Sequence, residues 1–352
     1  MTRVVALIFH ARPGPRAGRL IEAFGAIRRA NGEALADGLR RAGADEAIMV
    51  DGAPDDRSFG ERLRDSAADL PADGLVVLGS GSIPLARSAD LVAFVATAAG
   101  PPGQALANNR FSADVVAIAG RDWLVGLPDL AADNGLPRWL AEQAGFLVSD
   151  LRRTRRLQVD LDSPLDALLV RPAGAAGLEA AGVSTVAVRA ALSGVAAVVR
   201  DPRCELIVAG RASADGLAWL ERSTASRTRA LVEERGFRTR RVGQRPARST
   251  LGLLLDRDGP GALGAILAEL GDAALVDSRV LVAHRFGADE RGWPTAEDRF
   301  ASDLLLPDRI ADPWLRSLTE AARDAPIPIV LGGHSLVGPG LQLALGRNRS
   351  WS

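Results

Sequence analysis

The chain of 352 residues is long enough for two domains, and its composition, 47% hydrophobic and 24% charged, is that of a globular protein. Its 43 basic and 43 acidic residues cancel, which excludes a global electrostatic attraction to nucleic acid or to an anionic membrane. No apolar run approaches the ~20 residues of a membrane span, and the single cysteine, Cys204, excludes an internal disulfide and favours a cytoplasmic location.

Arginine supplies every basic side chain, because the sequence contains no lysine; it contains no tyrosine either. Schiff-base lysines, Ser-Lys dyads and the lysine of a phosphate-binding loop are therefore excluded. A phosphate group bound by this chain must be met by arginine, by backbone N–H groups or by a metal ion.

Strands and helices alternate through the first half of the chain. We predict strands at 4–9, 46–51, 74–78 and 115–119, and helices at 22–42, 58–70, 88–98 and 139–144. Strands that alternate with helices are typical of a mainly parallel sheet with right-handed crossovers. The pattern therefore predicts an α/β fold.

Two loops that follow predicted strands carry residues suited to binding. The first loop contains Arg12, Arg16 and Arg19, which predict an anion-binding loop, although a solvated basic loop explains them equally well. The loop after the third strand reads Gly-Ser-Gly-Ser over 79–82, and its glycines allow the backbone to approach a ligand closely. Such runs also occur in plain turns.

Two aspartates stand near the end of this half. Alternating apolar and charged residues predict a strand at 157–162, which places Asp160 and Asp162 on one face. Ser163 and Pro164 then predict a helix start, and capping explains Asp166 in its first turn. Capping does not explain Asp160 and Asp162, which the pattern places at the carboxyl edge of a sheet, where open α/β sheets bind ligands.

The run from Asp160 to Asp166 resembles the Asp-x-Asp-Thr-Pro-x-Asp signature of small GT-A-like nucleotidyltransferases, the group of molybdenum cofactor guanylyltransferase and 2-phospho-lactate guanylyltransferase. The resemblance covers residues 1–172 and implies a GT-A-like or Rossmann-like sheet there. It also implies that Asp160 or Asp162 helps to hold a divalent metal, Mg²⁺, on nucleotide phosphates. The arginine loop and the serines Ser80 and Ser82 would then contact the substrate.

Two positions depart from the family's pattern. Ala17 stands where the first loop of the family carries a lysine, and Ser82 stands where the family has an aspartate that ligates the metal. A serine hydroxyl is a poor replacement for a carboxylate on Mg²⁺, which counts against ordinary nucleotidyl transfer. Asn108 and Asn109 lie in a segment similar to the family's Thr-Asn-Ala-Leu and are candidate substrate contacts, although Asn-Asn is also an ordinary turn.

Residues 173–352 are predicted to form a second α/β domain, which resembles no family. Residues 173–182 are rich in Ala and Gly and predict a linker or a loose helix. Beyond them we predict strands at 206–209, 251–255, 274–283 and 327–331, and helices at 183–199, 214–235, 260–270 and 313–323.

Two histidines of this half follow predicted strands. If those strands are neighbours, His284 and His334 share a carboxyl edge that Glu297 and Asp303 can also reach. Histidines beside carboxylates are suited to general acid–base catalysis or to metal binding, which predicts a hydrolase. The two histidines lack a recognised spacing, so two unrelated structural histidines remain the alternative.

Five arginines follow one another without an acid among them: Arg238, Arg240, Arg241, Arg245 and Arg248. The patch is locally positive, but it lacks the interleaved aromatic residues of a base-stacking surface. The sequence therefore argues against a nucleic-acid partner.

The first half thus predicts a nucleotidyltransferase-like protein that binds a nucleoside triphosphate or a nucleotide-linked metabolite. Metal-dependent nucleotidyl transfer to a small phosphorylated acceptor is the active form of this prediction. An inactive scaffold or ligand sensor and a hydrolase in the second domain are the alternatives. A homo-oligomer is compatible with the sequence, and no membrane partner is expected.

Overall fold

The computed structural model describes residues 2–52, 57–170, 172–234 and 246–346, without the side chains of residues 172–175. The chain divides into two compact units. The first consists of Met1–Ala17 and Gly25–Leu161, and the second of Gly18–Phe24 and Asp162–Ser352. Most of the predicted arginine patch, including Arg238 and Arg245, lies outside the described residues.

The first unit is built on one six-stranded sheet. Its strands are β1 (Val4–Ala11), β2 (Glu46–Gly52), β3 (Gly74–Gly79), β4 (Gln104–Ala107), β5 (Val115–Ala119) and β6 (Leu147–Asp150). Their order is β2-β1-β3-β5-β4-β6. Only β5 runs antiparallel to its neighbours, so the sheet is mainly parallel, as predicted.

Helices cover both faces of this sheet: α1 (Arg19–Arg41), α2 (Phe59–Ala67), α3 (Ser88–Ala98), α4 (Trp123–Gly126) and α5 (Leu136–Glu142). Val4, Ala6 and Ile8 face one apolar core, and Val5 and Leu7 face the other. Because successive residues of a strand point to opposite faces, a strand covered on both sides must be apolar throughout. The unbroken apolar run of β1 follows from this burial.

The second unit has a four-stranded sheet in which every strand pair is parallel: β7 (Glu205–Gly210), β8 (Arg227–Val232), β9 (Ala273–Asp277) and β10 (Ile329–Gly332). The strand order is β10-β9-β7-β8. From β7 the chain adds β8 on one side and then β9 on the other, so the sheet has a topological switch point between β7 and β9. The predicted α/β class of this half is confirmed.

Eleven helices are described in this half: α6 (Pro164–Val170), α7 (Pro172–Ala180), α8 (Val186–Val198), α9 (Ala214–Ser223), α10 (Thr250–Asp258), α11 (Leu263–Leu270), α12 (Ser278–Phe286), α13 (Ala296–Asp303), α14 (Pro313–Arg323), α15 (His334–Val337) and α16 (Leu341–Leu345). Side-chain caps begin several of them; Ser213, Ser249 and Asp312 each accept a hydrogen bond from a backbone N–H of the first turn.

The strand predicted at 157–162 is wrong. Residues 155–158 form a 3₁₀ turn, and the N–H of Leu161 donates to the carbonyl of Gly81 instead of to a neighbouring strand. Leu157, Val159 and Leu161 are buried as the alternation indicates. The alternation therefore predicted burial correctly. The segment nevertheless pairs with no strand, so Asp160 and Asp162 do not lie on a strand face.

Three predicted elements of the second unit are also wrong. The strand at 251–255 is helix α10, because Ser249 caps it and Leu251 and Leu255 bury one helical face. The apolar run at 274–283 crosses from β9 into α12, whose first N–H groups are capped by Asp277. The helix predicted at 214–235 ends at Ser223, and β8 follows. A short apolar run fits a buried strand and a buried helix equally well.

None of the helices in the described parts of the chain is long and apolar enough to cross a membrane.

Candidate functional site

The loop after β3 is held by contacts to β1 and α1. Nδ1 of the buried His10 lies 2.9 Å from the hydroxyl oxygen of Ser80. The side-chain amide of Asn31 donates to the carbonyls of Ser80 and Ser82 over 2.9 and 3.1 Å. Ile83 has a φ of +37°, which is unusual for a branched residue, and its side chain is buried. Packing and hydrogen bonds therefore hold this loop in a strained conformation.

The predicted contact Ser82 closes its own loop. Its hydroxyl donates to the carbonyl of Asp114 over 2.7 Å and accepts from the N–H of Gly79 over 3.0 Å. Its single hydrogen is used inside the loop, so the hydroxyl cannot donate to a substrate phosphate. Ser82 therefore has a structural part here, and its part in substrate binding stays a prediction.

Asn108 and Asn109 differ sharply in their surroundings. Asn108 is fully buried; its amide donates to the Asp114 carboxylate and to the Leu157 carbonyl, each over 2.9 Å. Its side-chain oxygen accepts from the N–H groups of Asp114 and Val115. Asn109 accepts the N–H of Phe111 over 3.0 Å, as in an ordinary Asx turn. Both side chains thus serve the local fold.

Arginines gather around the carboxyl ends of β1 and β2. Arg12 and Arg29 donate to the Asp51 carboxylate over 2.6 and 3.0 Å, and these two guanidinium groups hold the pKa of Asp51 below its usual range. Burial lowers the pKa of His10; Asp51 opposes this shift, and the charges of Arg28, Arg29 and Arg12 add to it. His10 is therefore neutral at physiological pH in a basic surrounding.

Arg28 lies against the loop after β3. A Cβ atom on Gly81 would come within 2.9 Å of its Nε, so only glycine leaves room for the guanidinium. The Nε–H of Arg28 is buried and makes no hydrogen bond within the described part of the chain. Arg16 is exposed and has no ion pair among the residues that the structure describes, and Arg19, also exposed, opens α1.

The expected metal ligands do not form a ligand cluster. Asp160 is half-buried at the end of the first unit, and Asp162 is exposed and belongs to the second. Across residues 2–52, 57–170, 172–234 and 246–346, no group of three or more His, Cys, Asp or Glu side chains is placed to hold a metal ion. With the Ser82 hydroxyl already engaged, the residues of this edge do not fit a Mg²⁺ centre.

A cavity of about 480 Å³ lies at the edge of the first sheet opposite the carboxyl ends of β1, β2 and β3, where β5 ends. Trp123, Trp139 and Phe146 line it together with Arg121. The Arg121 guanidinium donates to the carbonyls that end α2, among them those of Ala67 and Ala68. Its cation is thus used to cap a helix.

The carboxyl edge of the second sheet borders a cavity of about 240 Å³. It is lined by Asp162, Ser163, Asp166, Arg211, Arg279, Glu290, Trp293, Arg299, Phe300, Gly333, His334 and Ser335. Arg211 follows β7, Arg279 follows β9 and His334 follows β10. The cavity therefore lies where parallel sheets bind ligands, beside the switch point.

Two of the arginines in this cavity are neutralised by buried carboxylates. Arg211 donates to both oxygens of Asp277, over 2.6 and 3.1 Å. Arg279 donates to both oxygens of Asp303 over 2.6 Å each. Burial lowers the pKa of Arg279, but the carboxylates of Asp303, Asp277 and Asp166 together outweigh it, so the pKa of Arg279 is raised. Asp303, predicted as a catalytic acid, is held in this pair and does not line the cavity.

The two predicted histidines do not share a site. His284 lies on α12, where its Nδ1 accepts the N–H of Ser249 and its Nε2 lies 2.9 Å from the Asp256 carboxylate. Only His334 lines the cavity. The strand expected to end at His284 stops at Asp277, and α12 carries His284 past the sheet edge. Glu297 caps α1 by accepting from the N–H groups of Leu20 and Ile21.

Asp166 is the residue whose surroundings the sequence did not reveal. Its Oδ2 accepts three hydrogen bonds at the start of α6, from the N–H of Asp162 and from the N–H and hydroxyl of Ser163. Its Oδ1 is buried and has no hydrogen-bond partner in the described chain. Burial, with the charges of Asp162 and Asp303, raises the pKa of Asp166 to about 7. The sequence predicted that Asp166 caps the helix, but it did not predict that Oδ1 is buried without a hydrogen-bond partner among the described residues.

No family model and no curated protein matches this chain. Among solved structures, a nucleotidyl transferase from Methanothermobacter thermautotroptrophicus is similar, with 17% identity over 49% of this chain and 97% of its own and a TM-score of 0.36. A Mycobacterium tuberculosis protein, also solved as a manganese complex, has 18% identity over 48% of this chain and 97% of its own, with a TM-score of 0.32. A nucleotide-diphospho-sugar transferase described as putative, from Desulfovibrio desulfuricans, has 15% identity over 43% of this chain and 80% of its own, with a TM-score of 0.30. The first and third of these titles name enzymes of the class to which the sequence resemblance pointed.

Proposed function

We propose that the first unit is a nucleotide-binding module that takes a nucleoside triphosphate or a nucleotide-linked metabolite through its phosphates, at the carboxyl ends of β1, β2 and β3. The observation that carries the proposal is Arg28, whose Nε–H is buried beside Gly81 without an acceptor. A buried donor without a partner is rare in proteins, and a phosphate oxygen is the acceptor that arginine recognises best.

The neighbouring charges support the same ligand. Arg12 and Arg29 share one carboxylate, Asp51, and Arg29 also contacts Glu33. Arg28 and Arg16 form no ion pair with any residue described in the structure. A triphosphate would add the missing negative charge, and because the site is partly exposed its binding should weaken as salt rises.

The proposal stops at binding. The hydroxyl of Ser82 is engaged within its loop, so the site offers no replacement for the family's metal-ligating aspartate. The metal role expected of Asp160 and Asp162 stays a prediction. If the nucleotide binds without a metal ion, the module acts as a ligand sensor or scaffold.

Isothermal titration of the full chain with GTP, CTP and ATP, each with and without Mg²⁺ and at low salt, tests the proposal. We expect at least one nucleotide to bind, and Arg28→Gln to weaken its affinity about tenfold or more, because hydrogen bonds to charged groups are worth roughly 1.5–3 kcal/mol. The matched control is Arg138→Gln, which removes an exposed arginine of α5 that pairs with Glu142.

Each outcome decides a part of the proposal. Absence of binding by all three nucleotides, or equal affinity for the wild type and Arg28→Gln, would refute it. Binding that needs Mg²⁺ and is lost in Asp162→Ala would restore the metal-dependent transferase prediction.

A further inference from the structure

We propose that the second unit holds a separate binding site for a small hydroxylated anion, a hydroxy-carboxylate or a phosphate ester of a short polyol, in the cavity bordered by Asp166, Arg299 and His334. This site is independent of the nucleotide site proposed for the first unit. Both the groups that line the cavity and its size point to this class of ligand.

The position of the cavity is the first reason. Residues from the ends of β7, β9 and β10 line it, and the switch point of the sheet lies between β7 and β9. At such a point the loops leave the sheet in opposite directions and open a crevice. Small-molecule sites are found preferentially in such crevices.

In its ionised form, Asp166 provides an acceptor that no described residue uses. The residue is 3% exposed, and the three donors described above all bind its Oδ2. Its Oδ1 is buried and accepts no hydrogen bond from the residues that the structure describes. Buried carboxylate oxygens are normally hydrogen-bonded. A hydroxyl group of a ligand can therefore supply the donor that this oxygen lacks among the described residues.

Arg299 provides a cation that no described carboxylate contacts directly. Burial lowers its pKa, and the more distant carboxylates of Glu290, Asp303 and Asp298 oppose this shift. Arg211 and Arg279 each make a bidentate pair with a buried aspartate. Arg299 instead donates to the carbonyl of Pro294 over 2.6 Å and lies 5.7 Å from the ring centroid of Trp293. It forms no ion pair with a carboxylate in the described ranges. Its remaining N–H groups are suited to a carboxylate or a phosphate of the ligand.

His334 provides a second acceptor. Its Nδ1 lies 3.0 Å from the carbonyl oxygen of Arg211, and a carbonyl can only accept, so Nδ1 carries the hydrogen. The Nε2 lone pair is then left to accept a hydrogen bond. A ligand with two hydroxyl groups can donate one to Asp166 and the other to His334.

The size and charge of the cavity limit the ligand. Its volume of about 240 Å³ lies below the roughly 300–1,000 Å³ of sites for drug-sized molecules, so a nucleotide is too large. Asp162 and Glu290 also line it and would repel a second anionic group on the ligand. A small molecule with a single anionic group fits both limits.

The test is isothermal titration of the full chain with five probes: glycerate and glycerol 3-phosphate, which carry both groups, and glycerol, acetate and inorganic phosphate, which carry one. We expect glycerate or glycerol 3-phosphate to bind about tenfold or more tightly than any single-group probe, since a second charge-assisted contact is worth that factor. Which of the two binds better identifies the anion as carboxylate or phosphate.

Variants then place the binding in this cavity. Arg299→Gln and Asp166→Asn are each expected to weaken it about tenfold. Arg257→Gln and Asp258→Asn, which alter an exposed pair of the same unit, should leave it unchanged. If Arg299→Gln fails to fold, as judged by circular dichroism, Arg299→Lys keeps the charge without the planar fork and should still bind more weakly than the wild type.

The proposal is overturned if neither two-group probe binds at millimolar concentration, or if Arg299→Gln and Asp166→Asn bind as the wild type does. Arg28→Gln separates the two proposals. It should weaken nucleotide binding and leave the binding of glycerate and glycerol 3-phosphate unchanged. Each of the two proposals can therefore be refuted without the other.

Discussion

The two sheets of this protein place polar residues at the same kind of edge but use them differently. At the carboxyl edge of the first sheet, the polar residues predicted as contacts, Ser80, Ser82 and Asn108, are hydrogen-bonded within the fold. At the edge of the second, two arginines are paired with acids. Among the described residues, Oδ1 of Asp166 accepts no hydrogen bond and Arg299 makes no ion pair. Arg28 Nε, also without a described partner, is the exception at the first edge. The comparison teaches that hydrogen-bond satisfaction, more than residue type or edge position, separates scaffold residues from candidate site residues.

The largest effect is expected from breaking the pair of Arg279 and Asp303. Arg279→Ala leaves the Asp303 carboxylate buried without its bidentate partner, so we expect a loss of about 3–5 kcal/mol in the free energy of unfolding. Urea unfolding measures it, with Arg257→Ala, an exposed arginine, as the control. A loss below about 1 kcal/mol, typical of exposed pairs, would show that the pair is not buried in solution.

The next effect concerns Asp166 and pH. Its folded-state pKa is raised from 3.8 to about 7, so its contribution to stability is fully present below the unfolded value and is lost as pH rises through the folded value. Between pH 5 and pH 8 the wild type should therefore lose roughly 2–3 kcal/mol relative to Asp166→Asn, which does not titrate.

Urea unfolding of the wild type and Asp166→Asn at both pH values measures this difference, and Asp258→Asn is the exposed control. If the stability difference between the wild type and Asp166→Asn is the same at pH 5 and pH 8, the carboxylate is not buried as described. That result would also weaken the contrast between the two sheet edges.

The last comparison lies within the first unit and includes the smallest effect. Asn108→Ala removes partners from the buried N–H groups of Asp114 and Val115 and from the Leu157 carbonyl, so a loss of about 2–3 kcal/mol is expected. Asn109→Ala removes one turn contact and should cost about 0.5 kcal/mol or less. Thermal unfolding compares the two, and nucleotide affinity should be unchanged in both. If a variant loses nucleotide affinity without losing stability, the replaced asparagine contacts the substrate as the sequence predicted.

The sequence predicted the frame of the fold well. β1, β2, β3, β5 and the helix α3 lie where periodicity placed them, because a strand buried on both faces and an amphipathic helix have different apolar patterns. It failed at 251–255 and 274–283, where short apolar runs are compatible with either element and the caps Ser249 and Asp277 decided for helix.

For the candidate sites, the sequence by itself determined the chemistry that is available: without lysine, only arginine, backbone N–H groups or a metal can meet a phosphate. It also identified Asp166 as a helix cap. Tertiary structure alone decided which polar groups are left over. Asn108 meets Leu157 and His284 meets Asp256 across long separations in sequence, whereas Oδ1 of Asp166 and Nε of Arg28 meet no described partner. Hydrogen-bond satisfaction depends on neighbours brought together by folding, and local sequence does not encode them.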